Sequence, residues 1–351
     1  MPSSTTKGQK SILRIKNHFR SSWLVLLLGF LLGACASNPT TESPDPLPSW
    51  NEGPSKHGIV EFVNNVTNQD SEHYVKPSER IAVFDNDGTL WAEKPVYAQL
   101  LFIFDRIRAM APDHPEWQTT QPFQAVLEYD FETLKATSRD SLAYMMGIAV
   151  SGTTNEEFEA FVVDWLATAR HPVSGQPYTS MVYQPMLELL DYLEANGFTT
   201  FIVSGGGISF MRPWSEAVYG IPPERVVGTS MELEYEVLNG KPVIHRKPAL
   251  HFLNDKSGKP VSIERFIGRR PIFAAGNSDG DYEMLEWTTA GEGRRLGMIV
   301  HHTDGAREWA YDRDSTTGRL DRGLDDAAAH GWLLIDMASE WNQVFPAEKQ
   351  D

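Results

Sequence analysis

Short apolar runs recur along the chain at IAVFD (81–85), TTFIVSG (199–205), PIFAAGN (271–277), LGMIVHH (296–302) and WLLIDM (332–337). Each has strand length and too little alternation for a half-exposed strand, which suits the buried strands of a parallel sheet. All but the last end in polar or glycine-rich residues, where open α/β sheets bind their ligands. Between the first two runs the period changes to that of helices. QLLFIFDRIRAM (99–110) repeats apolar residues at Leu100, Ile103, Phe104 and Ile107, and Pro112 stops it. Thr154-Asn155-Glu156-Glu157 reads as a capping box that opens a helix with Phe158, Phe161, Val162 and Trp165 on one face. In QPMLELLDYLEANG (184–197), Pro185 suits the first turn and Gly197 the C-terminal cap. VVGTSMELEYEVLNGKPVIH (226–245) alternates around Asn239-Gly240 as a hairpin does. The pattern predicts an α/β fold with a mostly parallel sheet, and a long helical insertion that forms a lid over the strand ends.

The first 35 residues stand apart. Lys7, Lys10, Arg14, Lys16 and Arg20 precede the apolar run WLVLLLGFLL (23–32), with no acidic residue before Cys35. That is the charge pattern of a secretory signal, and the run is short for a membrane span. It ends in Leu32-Gly33-Ala34-Cys35, which resembles a bacterial lipobox, whose cysteine is lipidated and becomes the new N-terminus. Cys35 is the only cysteine, so the protein has no internal disulfide. Residues 36–55, rich in Pro and Ser, read as a tether between lipid and folded domain. These features predict a protein lipid-anchored in the bacterial cell envelope and facing the periplasm. Ala36 after the cysteine favours the outer membrane.

Removing residues 1–35 takes away five basic residues and no acidic one, and moves the formal charge from −16 to about −21. So acidic a chain is a poor partner for phosphate backbones, and nucleic acid is not expected as a ligand.

The chemistry concentrates where the first strand stops. In IAVFDNDGTLW (81–91), Asp85 and Asp87 lie two residues apart, on the same side of an extended chain. Their mutual repulsion calls for a compensating cation. FDNDGTLW resembles the DxDGT motif of the haloacid dehalogenase superfamily, most of whose members are Mg-dependent phosphatases. Three further motifs follow in that family's order: IVSGGG (202–207), Lys259 in DKSGKPVSIERFIG, and GNSDGDYEML (276–285). The resemblance spans roughly residues 78–300, and its glycine-rich second motif and helical insertion are similar to the phosphoserine phosphatase branch. It implies a Rossmann-like three-layer core over 56–95 and 198–351, with a mainly helical cap of the C1 type over 96–197.

The resemblance also implies roles. Asp85 is the nucleophile that forms an aspartyl phosphate, and Asp87 is the acid and base for the leaving alcohol and the water. Ser204 with the amides of Gly205 and Gly206 holds phosphoryl oxygens, and Lys259 neutralises the phosphoryl group and Asp85. Mg²⁺ is bound by Asp85, the backbone carbonyl of Asp87, and the fourth motif. That motif departs from the family, since Asn277 stands where an aspartate is usual. An amide oxygen ligates without adding charge. Asp281 matches the second acid, and Asp279 between them is an alternative ligand. Thr89, Glu93 and Arg212 are candidate substrate contacts. The tandem His301-His302 and Arg170-His171 read as structural pairs.

The expected protein is thus an Mg²⁺-dependent phosphomonoester hydrolase acting on a small phosphorylated metabolite. The alternatives are phosphotransfer by the same residues, or a catalytically weak phosphate-ester-binding lipoprotein.

Overall fold

The computed structural model describes residues 45–347. The signal-like segment, Cys35 and most of the tether lie outside the described residues. Seven strands form one sheet: β1 (Ile81–Phe84), β2 (Thr199–Gly207), β3 (Val226–Leu238), β4 (Lys241–Phe252), β5 (Phe273–Gly276), β6 (Leu296–His301) and β7 (Leu333–Asp336). Their order is β4-β3-β2-β1-β5-β6-β7. Every pairing is parallel except β3 with β4. β1 lies at the centre, with Ala82 paired to both Thr200 and Phe273.

Alternation along β1 assigns its residues to the two faces. Ala82 and Phe84 join the core that contains Phe62, Leu189 and Phe273, whereas Ile81 and Val83 join Val203, Ile263, Tyr282 and Leu285. Helices therefore cover both sides, as a sheet buried on both faces requires. On the first side the Phe273 ring packs at a tilt against Phe84 (centroids 5.3 Å apart) and Phe62 (6.2 Å).

The helical segment between β1 and β2 contains Ala98–Met110, Phe123–Leu127, Phe131–Ala136, Arg139–Val150, Asn155–Thr168 and Gln184–Ala195. The capping box forms as the sequence predicts: Thr154 Oγ1 accepts from Glu157 N, and Glu157 returns to Thr154 N. Phe158 and Val162 are buried on that helix. Phe161 is not, and its exposed ring lies under the Arg106 guanidinium. Gln184–Ala195 packs against β2 and starts with Pro185 in its first turn, so it serves as the crossover that returns the chain to the sheet.

Two features depart from the expectations. The hairpin at Asn239-Gly240 is present, and both residues have positive φ (52° and 78°), the turn geometry this pair favours. Its first arm, however, is also a strand of the main sheet: Val226 and Val227 pair with Ile202 and Val203 before the strand leaves with β4. The projecting arm β4 packs on Arg139–Val150 and Asn155–Thr168. The tether, in turn, does not extend to residue 55. Leu47 and Trp50 are buried, Trp50 meets Trp341 edge-on at 5.8 Å, and its Nε1 donates to Pro185 O. Apolar burial outweighs the composition of this stretch.

Phe273 has no exposed surface and bridges the sheet to Phe62 on the helix Pro54–Thr67. Phe273→Ala is expected to cost about 3–5 kcal/mol through lost burial and a residual cavity. Urea unfolding should show a lower midpoint with an unchanged slope.

Candidate active site

The C-terminal ends of β1, β2 and β5 converge with the first turn of the helix Gly258–Phe266. Asp85 follows β1, and its amide donates to Ala275 O on β5 at 2.9 Å, which continues the sheet ladder by one residue. The chain then curls: Asn86 O accepts from the amides of Thr89 and Leu90, and Gly88 N donates to Trp91 O. Gly88 has φ 76°, and a Cβ there would lie 2.1 Å from Asn277 Nδ2, so only glycine fits. Tyr219 OH ties Asn86 Oδ1 to the helix Ile208–Tyr219, and His302 Nε2 donates to Gly88 O at 2.7 Å. His302 faces Glu308, which Tyr183 also holds.

Lys259 is the hub of the site. Its buried Nζ donates to Asp85 Oδ1 at 2.7 Å, Asp281 Oδ1 at 2.5 Å and Val203 O at 2.9 Å. Asp281 Oδ2 meanwhile accepts from the amides of Asn277 and Ser278. Asp87 accepts from Trp91 Nε1 at 2.8 Å. Ser204 Oγ accepts from Gly206 N, and Asn254 Nδ2 holds the Ser204 carbonyl. These groups open onto a cleft of about 390 Å³ lined by Asp85, Asp87, Ser204, Gly206, Lys259 and Asp281.

Two carboxylates thus share one ammonium, with Asp87 lining the same cleft, and the electrostatics follow. Burial and then the nearby Asp281 raise the Asp85 carboxyl to about 7. Burial also raises Asp87, although it keeps some access to the cleft, and its bond from Trp91 opposes that shift. Burial alone would lower Lys259, but the Asp281 and Asp85 carboxylates outweigh it and hold the ammonium above its ordinary range.

The other expected residues divide. Glu93 is buried at the cleft wall, where its Oε1 accepts from Asn277 Nδ2 at 2.9 Å and Tyr311 OH at 2.7 Å. Burial lifts its carboxyl well above the usual range. Asn277 lies beneath the cleft with both ends of its amide engaged, because Oδ1 accepts from Thr89 Oγ1 at 3.1 Å. Thr89 is accordingly not a substrate contact: it has no exposed surface and orients Asn277. Arg212 is not one either. The helix Ile208–Tyr219 buries Phe210, Met211, Trp214 and Ser215, which turns Arg212 outward to donate to Pro223 O. Asp279 is excluded as the alternative metal ligand. Its carboxylate accepts from the amides of Asp321, Arg322 and Gly323 and so caps the start of the helix Arg322–His330. His301 pairs with Asp312, and His171 bonds Lys94 O, consistent with structural roles.

Gln99, Tyr311 and Asn254 carried little signal in the sequence. Gln99 accepts from Gly207 N at 2.7 Å and lines the cleft. Its one signal was a polar residue in the first turn of an otherwise apolar helix. Tyr311 and Asn254 lie in loops whose partners only the fold reveals.

Among the described residues no three His, Cys, Asp or Glu side chains cluster as a ready metal cage. The donors at the cleft are nonetheless all hard oxygens, and the carboxylates outnumber the single ammonium. Both properties fit Mg²⁺.

An α/β sheet with a buried Asp–Lys–Asp cluster at its strand ends defines a hydrolase of the haloacid dehalogenase type. The family model "haloacid dehalogenase-like hydrolase" matches residues 82–286, and the chain belongs to that family. Among solved structures it is similar to a protein of unknown function from Bordetella pertussis Tohama I (16% identity, 74% of this chain and 99% of that one, TM-score 0.46). It is also similar to a functionally unknown protein from Anaerococcus prevotii DSM 20548 (16% identity, 71% and 86%, TM-score 0.47). A third is a phosphoserine phosphohydrolase-like protein from Francisella tularensis subsp. tularensis SCHU S4 (17% identity, 71% and 98%, TM-score 0.37). No curated protein matches.

Asp279→Asn separates capping from chemistry. It should cost about 1–2 kcal/mol by weakening bonds to three amides. Thermal unfolding should move down by several degrees, while the metal requirement of any activity stays as in the parent.

Proposed function

We propose that this protein is an Mg²⁺-dependent phosphomonoester hydrolase that works through an aspartyl phosphate on Asp85. The observation that carries the reading is Lys259 bridging Asp85 and Asp281, with Asp87 two residues beyond Asp85 and the Ser204–Gly206 end of β2 lining the same cleft. Asp85 attacks phosphorus as the ester P–O bond breaks, and Asp87 gives its proton to the departing alcohol oxygen. The raised Asp87 carboxyl is suited to hold that proton. Asp87 then takes a proton from the water that attacks phosphorus. The Asp85–phosphorus bond breaks, leaving inorganic phosphate and the free carboxylate. Lys259 stabilises charge on the phosphoryl oxygens throughout, and Ser204 with the neighbouring amides orients them.

Asp85, Asp281 and the backbone carbonyl of Asp87 would hold Mg²⁺, with the second lone pair of Asn277 Oδ1 as a further donor. When bound, the ion supplies positive charge that keeps Asp85 ionised and offsets the phosphoryl charge. Glu93 accepts a hydrogen bond from Asn277 Nδ2 and so helps to fix the orientation of that amide.

The natural setting belongs to the same proposal. The lipobox-like Cys35 supports a lipid-anchored protein of the cell envelope that acts on an extracytoplasmic phosphate ester. No helix among the described residues is long and apolar enough to cross a membrane.

Hydrolysis of an aryl phosphate should require Mg²⁺ and stop with EDTA. It should vanish in Asp85→Asn and fall about 10²–10⁴-fold in kcat in Asp87→Asn. A folded protein that binds phosphate esters but turns over none, with no gain in Asn277→Asp, would favour the binding-protein alternative. Cys35→Ala should move the protein from the membrane fraction to the soluble one. Unchanged membrane retention would refute the anchor.

A further inference from the structure

A second cavity of about 380 Å³ opens beside the catalytic cleft, between the helix Arg139–Val150 and the β3–β4 hairpin. The two are continuous, since Gln99, Met146, Gly205 and Leu253 line both. The cavity differs sharply from the cleft in chemistry. Its walls include Met146, Met231, Phe158, Phe210, Leu250 and Leu253, and Arg246 is its only charged side chain. Several of these apolar residues are exposed. Leu250, Leu253 and Tyr144 each show more than half of their surface, an arrangement that a monomer core does not explain. Met231 pairs with Leu250 across the hairpin, which makes that wall apolar and adaptable, and Met146 lines the cavity from the helix Arg139–Val150.

We infer that this cavity receives the alcohol half of the substrate, and that this half is an extended, uncharged apolar or aryl group. The inference rests on the phosphatase reading of the adjoining cleft and specifies which esters that cleft serves. A phosphoryl group on Asp85 leaves its ester oxygen facing out of the cleft, and the shared residues provide the passage. Apolar contacts favour a hydrocarbon chain there by roughly the free energy of burying its methylenes. Arg246 selects against cationic alcohols. Its guanidinium is buried and donates to Val150 O, Asn155 Oδ1 and Ser209 Oγ, and it lies 4.1 Å from the Phe158 ring centroid. No carboxylate pairs with it among the described residues, so its charge faces the cavity uncancelled by an ion pair. An amino alcohol would meet repulsion there, and a neutral chain would not.

The test compares phenylbutyl phosphate with methyl phosphate and phosphoethanolamine as substrates of the intact protein. In parallel, calorimetry measures binding of phenylbutylphosphonate and methylphosphonate, which cannot be hydrolysed. The inference expects phenylbutyl phosphate to lead in kcat/KM by about tenfold or more, and its phosphonate to bind about tenfold tighter than methylphosphonate. Leu250→Glu, at an exposed position, should lower the phenylbutyl-to-methyl ratio in both measurements. Equal kcat/KM and equal affinities, or a ratio untouched by Leu250→Glu, would overturn the assignment of the cavity and leave the phosphatase standing. Tight phosphonate binding that follows the apolar chain, without turnover of any ester, would support the cavity and overturn the reading of the catalysis. Preference for phosphoethanolamine, whose alcohol half carries only an ammonium, would overturn the exclusion of cationic alcohols.

Discussion

The buried ammonium of Lys259 holds the site together. It lies between two carboxylates that would otherwise repel each other, and a backbone carbonyl completes its coordination. Burying an ion costs several kcal/mol, and removing one partner of such a set typically costs 3–5 kcal/mol because the others are left uncompensated. The contacts also join distant parts of the chain: Asp85 comes from β1, Val203 from β2, Asp281 from the turn after β5, and Lys259 from the helix after the hairpin. The sheet order places these strand ends side by side, so the topology is what makes the cluster possible.

Around that hub the structure separates a polar cleft from an apolar cavity. The polar cleft is built by the ends of three parallel strands, the usual place for a ligand in an open α/β sheet. The apolar cavity is built by the helical insertion and by the hairpin that grows out of β3. The hairpin is continuous with a core strand and packs on the insertion, so it ties the two halves together. Arg246 does the same work at close range, linking β4 to the Val150 carbonyl and to Asn155.

Much of this was legible in the chain. Parallel strands buried on both faces leave unbroken apolar runs, and each of the five runs became a strand. The hairpin turn was legible because Asn-Gly is the pair that tolerates two positive φ values. The motif order pointed to Asp85, Asp87, Ser204, Lys259 and Asp281, and the fold brings these five to one cleft. The misreadings share a cause, namely that partners distant in sequence decide the role. Asp279 resembled a ligand until the Asp321–Gly323 amides claimed it, and Thr89 resembled a substrate contact until Asn277 did. Arg212 turned outward because four neighbours took the buried face of its helix. Leu47 and Trp50 were hidden in a tether-like composition, and only the presence of Trp341 and Pro185 explains their burial.

The most direct measurement is to trap the covalent intermediate. Turnover of a phosphate ester is quenched in acid, the protein is reduced with borohydride, and its peptides are mapped by mass spectrometry. An aspartyl phosphate on Asp85 would be reduced to homoserine at position 85 and nowhere else. Steady hydrolysis with Asp85 recovered unmodified, or with the modification at Asp87 or Asp281, would contradict the central claim.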